Sequence, residues 1–208
     1  MSNANELLIS AQTTEKINIA LLENKELVEL TTERSDSRFA VGDIYLAKVK
    51  KIVSGLNAVF VDLGYERDAF LHYHDLGPQF SSLNKLLNIY LSNKSQIKPF
   101  DKFSRLNDID KDGNIADVIT IGQPIIVQIS KEPISSKGPR LCSELSIAGR
   151  NIVLMPFSDK VSISQKIESD EEKTRLKKVI QSLKPNNYGV IVRTVAQGRN
   201  ASELDGEL

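Results

Sequence analysis

Along most of the chain, hydrophobic and polar positions alternate in bursts too short for helices. Two apolar runs, 16-KINIALLE-23 and 26-ELVELTTE-33, flank Asn24-Lys25. Strand-like runs around an Asn-containing two-residue link predict a β-hairpin. The polar 33-ERSDSR-38 reads as a connector, and the leading MSNAN is set aside from the fold. A second unit opens at 41-VGDIYLAKVKKIV-53, where Ile44, Leu46, Val49 and Ile52 keep only part of a period-two alternation. Ser54-Gly55-Leu56-Asn57 is a turn signal, 58-AVFVDLG-64 a second strand, and 65-YERDAFLH-72 a turn with a short third strand. Residues 77–120 break the rhythm with polar sequence and a short predicted helix at 81-SSLNKLLNIYLS-92. Strands resume at 122-GQPIIVQISKEP-133 and 139-PRLCSEL-145. Five short strands with a long insertion before the fourth predict a small closed β-barrel of the OB type.

A third unit starts near 147-IAGRNIVLMPF-157, read as one apolar strand after a glycine. The clearest helix follows at 169-SDEEKTRLKKVIQSLKP-185: Ser169 caps it, acids fill its first turn, and Lys177, Lys178 and Lys184 lie toward its end. Leu176, Val179, Ile180 and Leu183 form its apolar stripe. A strand, 188-YGVIVRT-194, and a loop, 195-VAQGRN-200, lead to Asn200-Ala201-Ser202-Glu203, which has the spacing of a capping box. The pattern predicts a helix that Leu208 interrupts about two turns in, leaving its apolar face without a partner in sequence, as in the N-terminal part of a longer protein. The fold class expected is mostly β with α+β parts.

Composition narrows the class without naming a function. The 208 residues are 40% hydrophobic and carry 27 Lys+Arg against 27 Asp+Glu. That supports an ordinary core and argues against a disordered charged tail. Residues 1–37 hold three basic and seven acidic side chains, leaving 24 basic and 20 acidic for the rest, a modest lean toward an anionic partner. No run of apolar residues is long enough to span a bilayer, and the first residues lack a signal-peptide pattern. One cysteine, Cys142, permits no internal disulfide and fits a reducing, cytoplasmic setting without a membrane.

Two groups of residues suggest chemistry. Phe60 and Phe70 fall on predicted barrel strands, with Lys48, Lys50, Lys51 and Arg67 near them. Aromatics on a barrel face stack unpaired bases while cations follow phosphates; alternatively, both rings fill the barrel. Lys137-Gly138 sits in a loop between the last two strands, as a further RNA contact or an ordinary hairpin tip. Arg193-Thr194 ends a strand ahead of a loop and a helix start. A guanidinium and a hydroxyl there suit a phosphate, or the arginine is simply solvated.

Three motifs are weaker. Asp108, Asp110, Asp112, Gly113 and Ile115 copy half of a calcium loop, but position twelve is Ile119, so an acidic turn is the better reading. His72 and His74, with Asp75 at most, do not complete a metal site. Cys142 reads as a small buried residue. No residue of the chain is assigned a catalytic or metal-binding role.

Taken together, 44-IYLAKVKKI-52, 58-AVFVDLGYERDAFL-71, 124-PIIVQISKEPISSKGPRL-141, 146-SIAGRNIVLMP-156 and 189-GVIVRT-194 resemble the ribonuclease E/G family of bacterial endoribonucleases, in its ribonuclease G-like form, from about residue 6 to 208. The resemblance implies an RNase H-like hairpin (1–37), an S1-type OB-fold RNA-binding barrel (38–145, with the 77–120 insertion) and an incomplete α/β region sensing the RNA 5′ end (146–208). It makes Phe60, Phe70 and Lys137 RNA contacts, gives Arg193 and Thr194 the grip on a 5′-monophosphate, and gives Gly149 and Val153 backbone contacts to it. Where relatives carry consecutive arginines after Ile-Ser, this chain has Ile163-Ser164-Gln165-Lys166. Gln165 brings no charge and Lys166 no bidentate fork. The implied partner is single-stranded RNA bearing a 5′-monophosphate, and the implied full-length protein is a homo-oligomer. Its Mg²⁺ would be held by aspartates of a catalytic domain beyond Leu208, with no cofactor held by this chain, which alone would not cleave RNA. A non-catalytic S1-type RNA-binding module and a structural or assembly domain are the alternatives.

Overall fold

The computed structural model describes residues 5–13, 16–34, 39–92, 99–134 and 137–208. Four residues of the expected connector (35–38), the first four of the chain, and Ser135-Ser136 lie outside them. The chain divides into two units, Met1–Ala40 and Val41–Leu208.

In the first unit, β1 (Asn5–Thr13), β2 (Lys16–Glu23) and β3 (Glu26–Arg34) form an antiparallel sheet in that order. The hairpin expected between β2 and β3 is present, its turn made by Asn24 and Lys25 at positive φ of 50° and 69°. Such a turn matches strand twist, and Asn tolerates the left-handed region well. The sequence reading stopped at two strands. It missed β1 because Leu7, Leu8 and Ile9 are consecutive and break the two-residue period.

The second unit begins with a barrel. β4 (Ile44–Val53), β5 (Ala58–Asp62), β6 (Ala69–His72), β7 (Pro124–Lys131) and β8 (Arg140–Cys142) close in the order β4-β5-β6-β8-β7. All neighbours are antiparallel except β6 and β8. Val49, Val59, Val61, Leu71, Ile125, Val127, Ile129 and Leu141 fill the interior. The broken alternation of β4 has a cause: its register against β5 shifts between Val49 and Lys51. A bulge changes the phase of a strand. Ala47 and Val49 therefore face the core, while Ile44 and Leu46, read from sequence as part of its stripe, stay 46% and 61% exposed.

The insertion supplies α1 (Phe80–Ser92), a 3₁₀ turn at Phe100–Lys102 and the single turn α2 (Ile115–Val118). Phe80, Leu83 and Leu87 are the buried apolar residues of α1. Asn57 fastens the far end of the insertion to the barrel: its Nδ2 donates to the Gly113 carbonyl (3.0 Å), and its Oδ1 accepts from the Ile115 amide (2.7 Å). The insertion also packs against the third region. The Phe100 ring lies 4.8 Å from both Phe157 and Tyr188, and Asn187 Nδ2 donates to the Phe100 and Phe103 carbonyls at 2.9 Å. Arg105 donates to the Phe157 carbonyl (2.7 Å) and pairs with Asp159.

That region is a mixed sheet covered by helices. The single strand expected over 147–157 is two, β9 (Ile147–Ala148) and β10 (Ile152–Pro156), folded back between them. β11 (Val161–Ile163) and β12 (Tyr188–Val192) run parallel, joined through α3 (Asp170–Leu183), in the sheet order β11-β12-β10-β9. Ser169 Oγ caps α3 by accepting from the Glu172 amide (3.2 Å). Its last turn carries no basic residue, since Lys177 and Lys178 fall earlier and Lys184 is the C-cap, its Nζ on the Tyr188 carbonyl.

Asn200 and Glu203 form the expected capping box of α4 (Ala201–Asp205). The apolar face thought unpartnered is covered within the chain. Leu204 is fully buried with Ile152, Ile167, Leu176, Ile180, Val190, Val192 and Ala196, and Leu208 packs against this cluster. The helix is one turn long and closes the core, a contact that spacing along the sequence cannot reveal. The preceding loop is clamped by Glu172, whose carboxylate takes Arg175 Nε and Nη2 (both 2.7 Å) and the Gly198 amide (2.8 Å).

Leu204→Ala should lower the unfolding free energy of the second unit by about 2–5 kcal/mol in urea titration, as expected for a truncated core leucine. The Arg175 guanidinium and then the Gly198 N–H hold the Glu172 carboxyl at about 2, against an ordinary 4.5. A depressed carboxylate contributes stability above the unfolded-state value and loses it as pH falls toward the folded one. The acid limb between those values should therefore be flatter in Glu172→Gln than in the wild type, read by thermal denaturation across pH.

Candidate nucleic-acid interface

Strand alternation decides which way the aromatic residues face. Val59 and Val61 pair with Leu71 and Ala69 inside the barrel, so Phe60 and Phe70, in register with each other, lie outside it. Their rings are 5.8 Å apart, edge to face, and both are half-buried. The alternative that both fill the barrel is thereby removed. Lys51 pairs opposite Phe60 and Arg140 opposite Phe70, extending this row to the strands on either side.

Not every cation near the rings is available. Lys50, the extra residue of the bulge, is paired with Asp68 at 2.7 Å. Arg140 gives Nε and Nη2 to Asp75 Oδ2 (3.0 and 2.8 Å). Lys48, Lys51, Arg67 and Lys137 are exposed and, among the described residues, have no carboxylate partner. The loop bearing Lys137 is held beside Phe70, whose amide donates to the Pro139 carbonyl (2.9 Å). A Cβ on Gly138 would come within 2.2 Å of the Asp68 carbonyl, so only glycine allows this approach.

A second cluster forms at one edge of the mixed sheet. Because β11 and β12 are parallel and β10 is antiparallel to β12, the ends of β11 and β12 and the start of β10 share that edge. Arg193 there donates from Nη1 to the Gly149 carbonyl (2.7 Å) and from its backbone to the Asn151 carbonyl (2.8 Å). It is exposed and has no carboxylate partner among the described residues, so its remaining N–H groups are open to an anion. Thr194 Oγ1 lies 3.1 Å from Ser164 Oγ. The structure thus brings Gly149 to Arg193, and places Thr194 next to a hydroxyl that sequence reading did not select. Val153 stands mid-strand, opposite Ala148 on one side and Ile191 on the other, within the sheet and not at this turn. Gln165 and Lys166 follow Ser164 directly and are exposed.

Other residues with chemistry serve the fold. The Asp110 carboxylate accepts from the Asp112 amide (3.1 Å), Asp108 accepts from Gln79, and Ile115 is buried, which makes this stretch an acidic turn pinned to the barrel. The His72 and His74 ring centres lie 5.0 Å apart, tilted by 36°, while Asp75 is engaged with Arg140. Burial, then the charges of Asp75 and Glu144, push the Cys142 thiol up and keep it protonated. Gln128, which sequence reading also missed, joins the barrel to the third region: its Nε2 donates to the Gly42 and Ser146 carbonyls (2.9 and 2.8 Å), and its Oε1 accepts from the Ser146 amide. A buried polar residue in a predicted strand was its only signal.

Comparison with known proteins follows the same division. Residues 38–142 match the S1 RNA binding domain and residues 146–208 match the Ribonuclease E/G family. Ribonuclease G of Haemophilus influenzae is 34% identical over 202 residues, covering 97% of this chain and 37% of that protein. Ribonuclease G of Escherichia coli K12 is 33% identical over 199 residues, with 96% and 37% covered. A Ribonuclease E/G-like protein of Porphyra purpurea is 38% identical over 175 residues, with 84% and 29% covered. The chain therefore spans little more than a third of the length of the ribonuclease G relatives it matches. With the barrel and the mixed sheet each aligned to its own part of this pattern, the chain belongs to the ribonuclease E/G family and carries an S1 RNA-binding domain as its closed five-stranded barrel.

Proposed function

We propose that this chain binds single-stranded RNA and selects a 5′-monophosphate end on behalf of an endoribonuclease that acts in RNA processing and decay. The observation that carries the RNA-binding part is the outward, paired Phe60 and Phe70, flanked by Lys51 and Lys137, which have no carboxylate partner among the described residues. Two adjacent rings offer stacking surfaces to successive bases whatever their sequence, and Lys51 and Lys137 supply phosphate contacts on either side. The 5′ end is assigned to Arg193 and Thr194. The guanidinium is oriented by the Gly149 carbonyl and still offers most of its fork. Thr194 and Ser164 can donate to further phosphate oxygens, and Lys166 adds charge nearby. Gly149 takes part through its carbonyl on Arg193, and Val153 through its place in the strand beneath.

A monophosphate suits this pocket because it is compact and doubly charged; a triphosphate is bulkier. Cleavage belongs, on this reading, to parts of the relatives that this chain does not span, where aspartates would hold Mg²⁺ for phosphodiester hydrolysis. The full-length protein is a cytoplasmic homo-oligomer. No helix among the described residues is long and apolar enough to cross a membrane.

Phe60→Ala and Phe70→Ala should each weaken binding of a short single-stranded RNA by about 1–3 kcal/mol, in fluorescence anisotropy at fixed salt. Wild-type affinity should fall steeply with added salt. Between matched RNAs, the 5′-monophosphate should bind more tightly than the 5′-hydroxyl, and Arg193→Ala should abolish that difference. Equal binding of the two by the wild type would sink the end-sensing part. RNA cleavage by the purified chain would sink the division of labour.

A further inference from the structure

Near the Arg193 cluster lies a carboxylate that the proposed function does not use. Glu207 follows α4 and reaches into the turn joining β9 to β10. Its Oε1 and Oε2 accept from the Asn151 amide (2.9 and 3.1 Å), Oε2 accepts from Asn151 Nδ2 (2.8 Å), and the Ile152 amide lies 3.5 Å from Oε1. Successive amides of a turn form a concave cradle for an anion, and here the chain's own carboxylate fills it. Burial pushes the Glu207 carboxyl up, but donors from Asn151, Ile152 and the Arg150 backbone outweigh it and hold it below its ordinary value.

Two further observations connect this cradle to Arg193. A Cβ on Gly149 would stand 2.0 Å from Glu207 Oε1, so the carboxylate enters only because position 149 is glycine. The same turn fixes Arg193 twice, through the Gly149 carbonyl on Nη1 and the Asn151 carbonyl on its backbone amide. The turn is closed by its own bond from the Gly149 amide to the Ile152 carbonyl (2.8 Å), and without Glu207 the Asn151 and Ile152 amides would lose the carboxylate that braces it from outside. The Gly149 carbonyl could then rotate away from the guanidinium. Glu207 is itself held from behind, since Leu204 is locked in the core and the Glu207 amide donates to its carbonyl (3.3 Å).

We propose that Glu207 is the positioning residue of the 5′-phosphate pocket: by filling the amide cradle at 150–152 it fixes the Gly149 carbonyl, which in turn aims the Arg193 guanidinium. This rests on the assignment of Arg193 to the RNA 5′ end. The role is neutralisation as well as bracing. With its turn amides occupied, the edge presents an incoming phosphate with the guanidinium and the two hydroxyls, and not with a competing cradle beside them.

The test compares the whole chain with Glu207→Gln, Glu207→Ala and Arg193→Ala, using matched single-stranded RNAs with 5′-monophosphate or 5′-hydroxyl ends. The expected result is that Glu207→Ala cuts the monophosphate-to-hydroxyl affinity ratio by about tenfold, the worth of roughly one charge-assisted hydrogen bond. Glu207→Gln, which keeps the shape and one acceptor, should restore part of the ratio. Binding of the hydroxyl RNA reads the barrel and serves as the control for folding. In parallel, the Arg193 Nε–H resonance should move in Glu207→Ala without RNA present, a signature that a general loss of stability would not produce. A full ratio in both Glu207 variants, when Arg193→Ala abolishes it, would overturn the positioning role while leaving the sensor intact. No preference in the wild type would overturn the sensor and the positioning role together.

Discussion

The pairing of β5 with β6 inside a closed barrel constrains everything on the barrel's outer face. Side chains alternate along a strand, so a slip of one residue would bury Phe60 and Phe70 and expose Val59, Val61 and Leu71. Such a slip would move the whole inward row into water, at about 25 cal/mol per Å² of apolar surface. Closure adds its own lock. β8 reaches β6 in parallel, Phe70 hydrogen-bonds to Pro139, and Gly138 lies against Asp68 too closely for any other residue. The outward placement of Phe60 and Phe70 is thus a by-product of a register chosen by the core.

Topology assembles the second site in a different way. Gly149, Ser164 and Arg193 are far apart in the chain, yet the parallel β11–β12 pair and the antiparallel β10 bring their strand ends to one edge. The small core beneath, with Leu204 at its centre, then determines how precisely those ends are held. Glu172 and Glu207 act above it, one restraining the loop after Thr194 and the other the turn before β10. Both carboxylates accept hydrogen bonds from backbone amides of loops, which is how a short, irregular segment acquires a fixed shape.

The insertion links these two sites. Asn57 ties it to the barrel, while Phe100, Arg105 and Asn187 tie it to the mixed sheet, so the Phe60–Phe70 face and the Arg193 edge belong to one packed body. Charge is used economically on this body. Lys50 and Arg140 are held in exposed ion pairs, which are worth little in stability and chiefly orient the groups involved. Lys51 and Lys137 have no carboxylate partner among the described residues.

Local signals in the sequence determined a great deal. Two-residue alternation and turn residues marked all five barrel strands, the Asn24-Lys25 hairpin, and α3 with its Ser169 cap, because these depend on neighbours a few positions away. The ordered blocks around Phe60, Phe70 and Arg193 likewise marked the family. Other features were decided only by contacts between distant segments. The bulge at Lys50 reversed the facing of Ile44 and Leu46, and consecutive apolar residues hid β1. Leu204 found its partners on α3 and β12, and Ser164 and Glu207 met the Arg193 cluster across 29 and 14 residues of chain. Periodicity tells which residues share a face of one element, whereas burial and hydrogen bonding depend on what that face meets, and only the packed tertiary structure decides that.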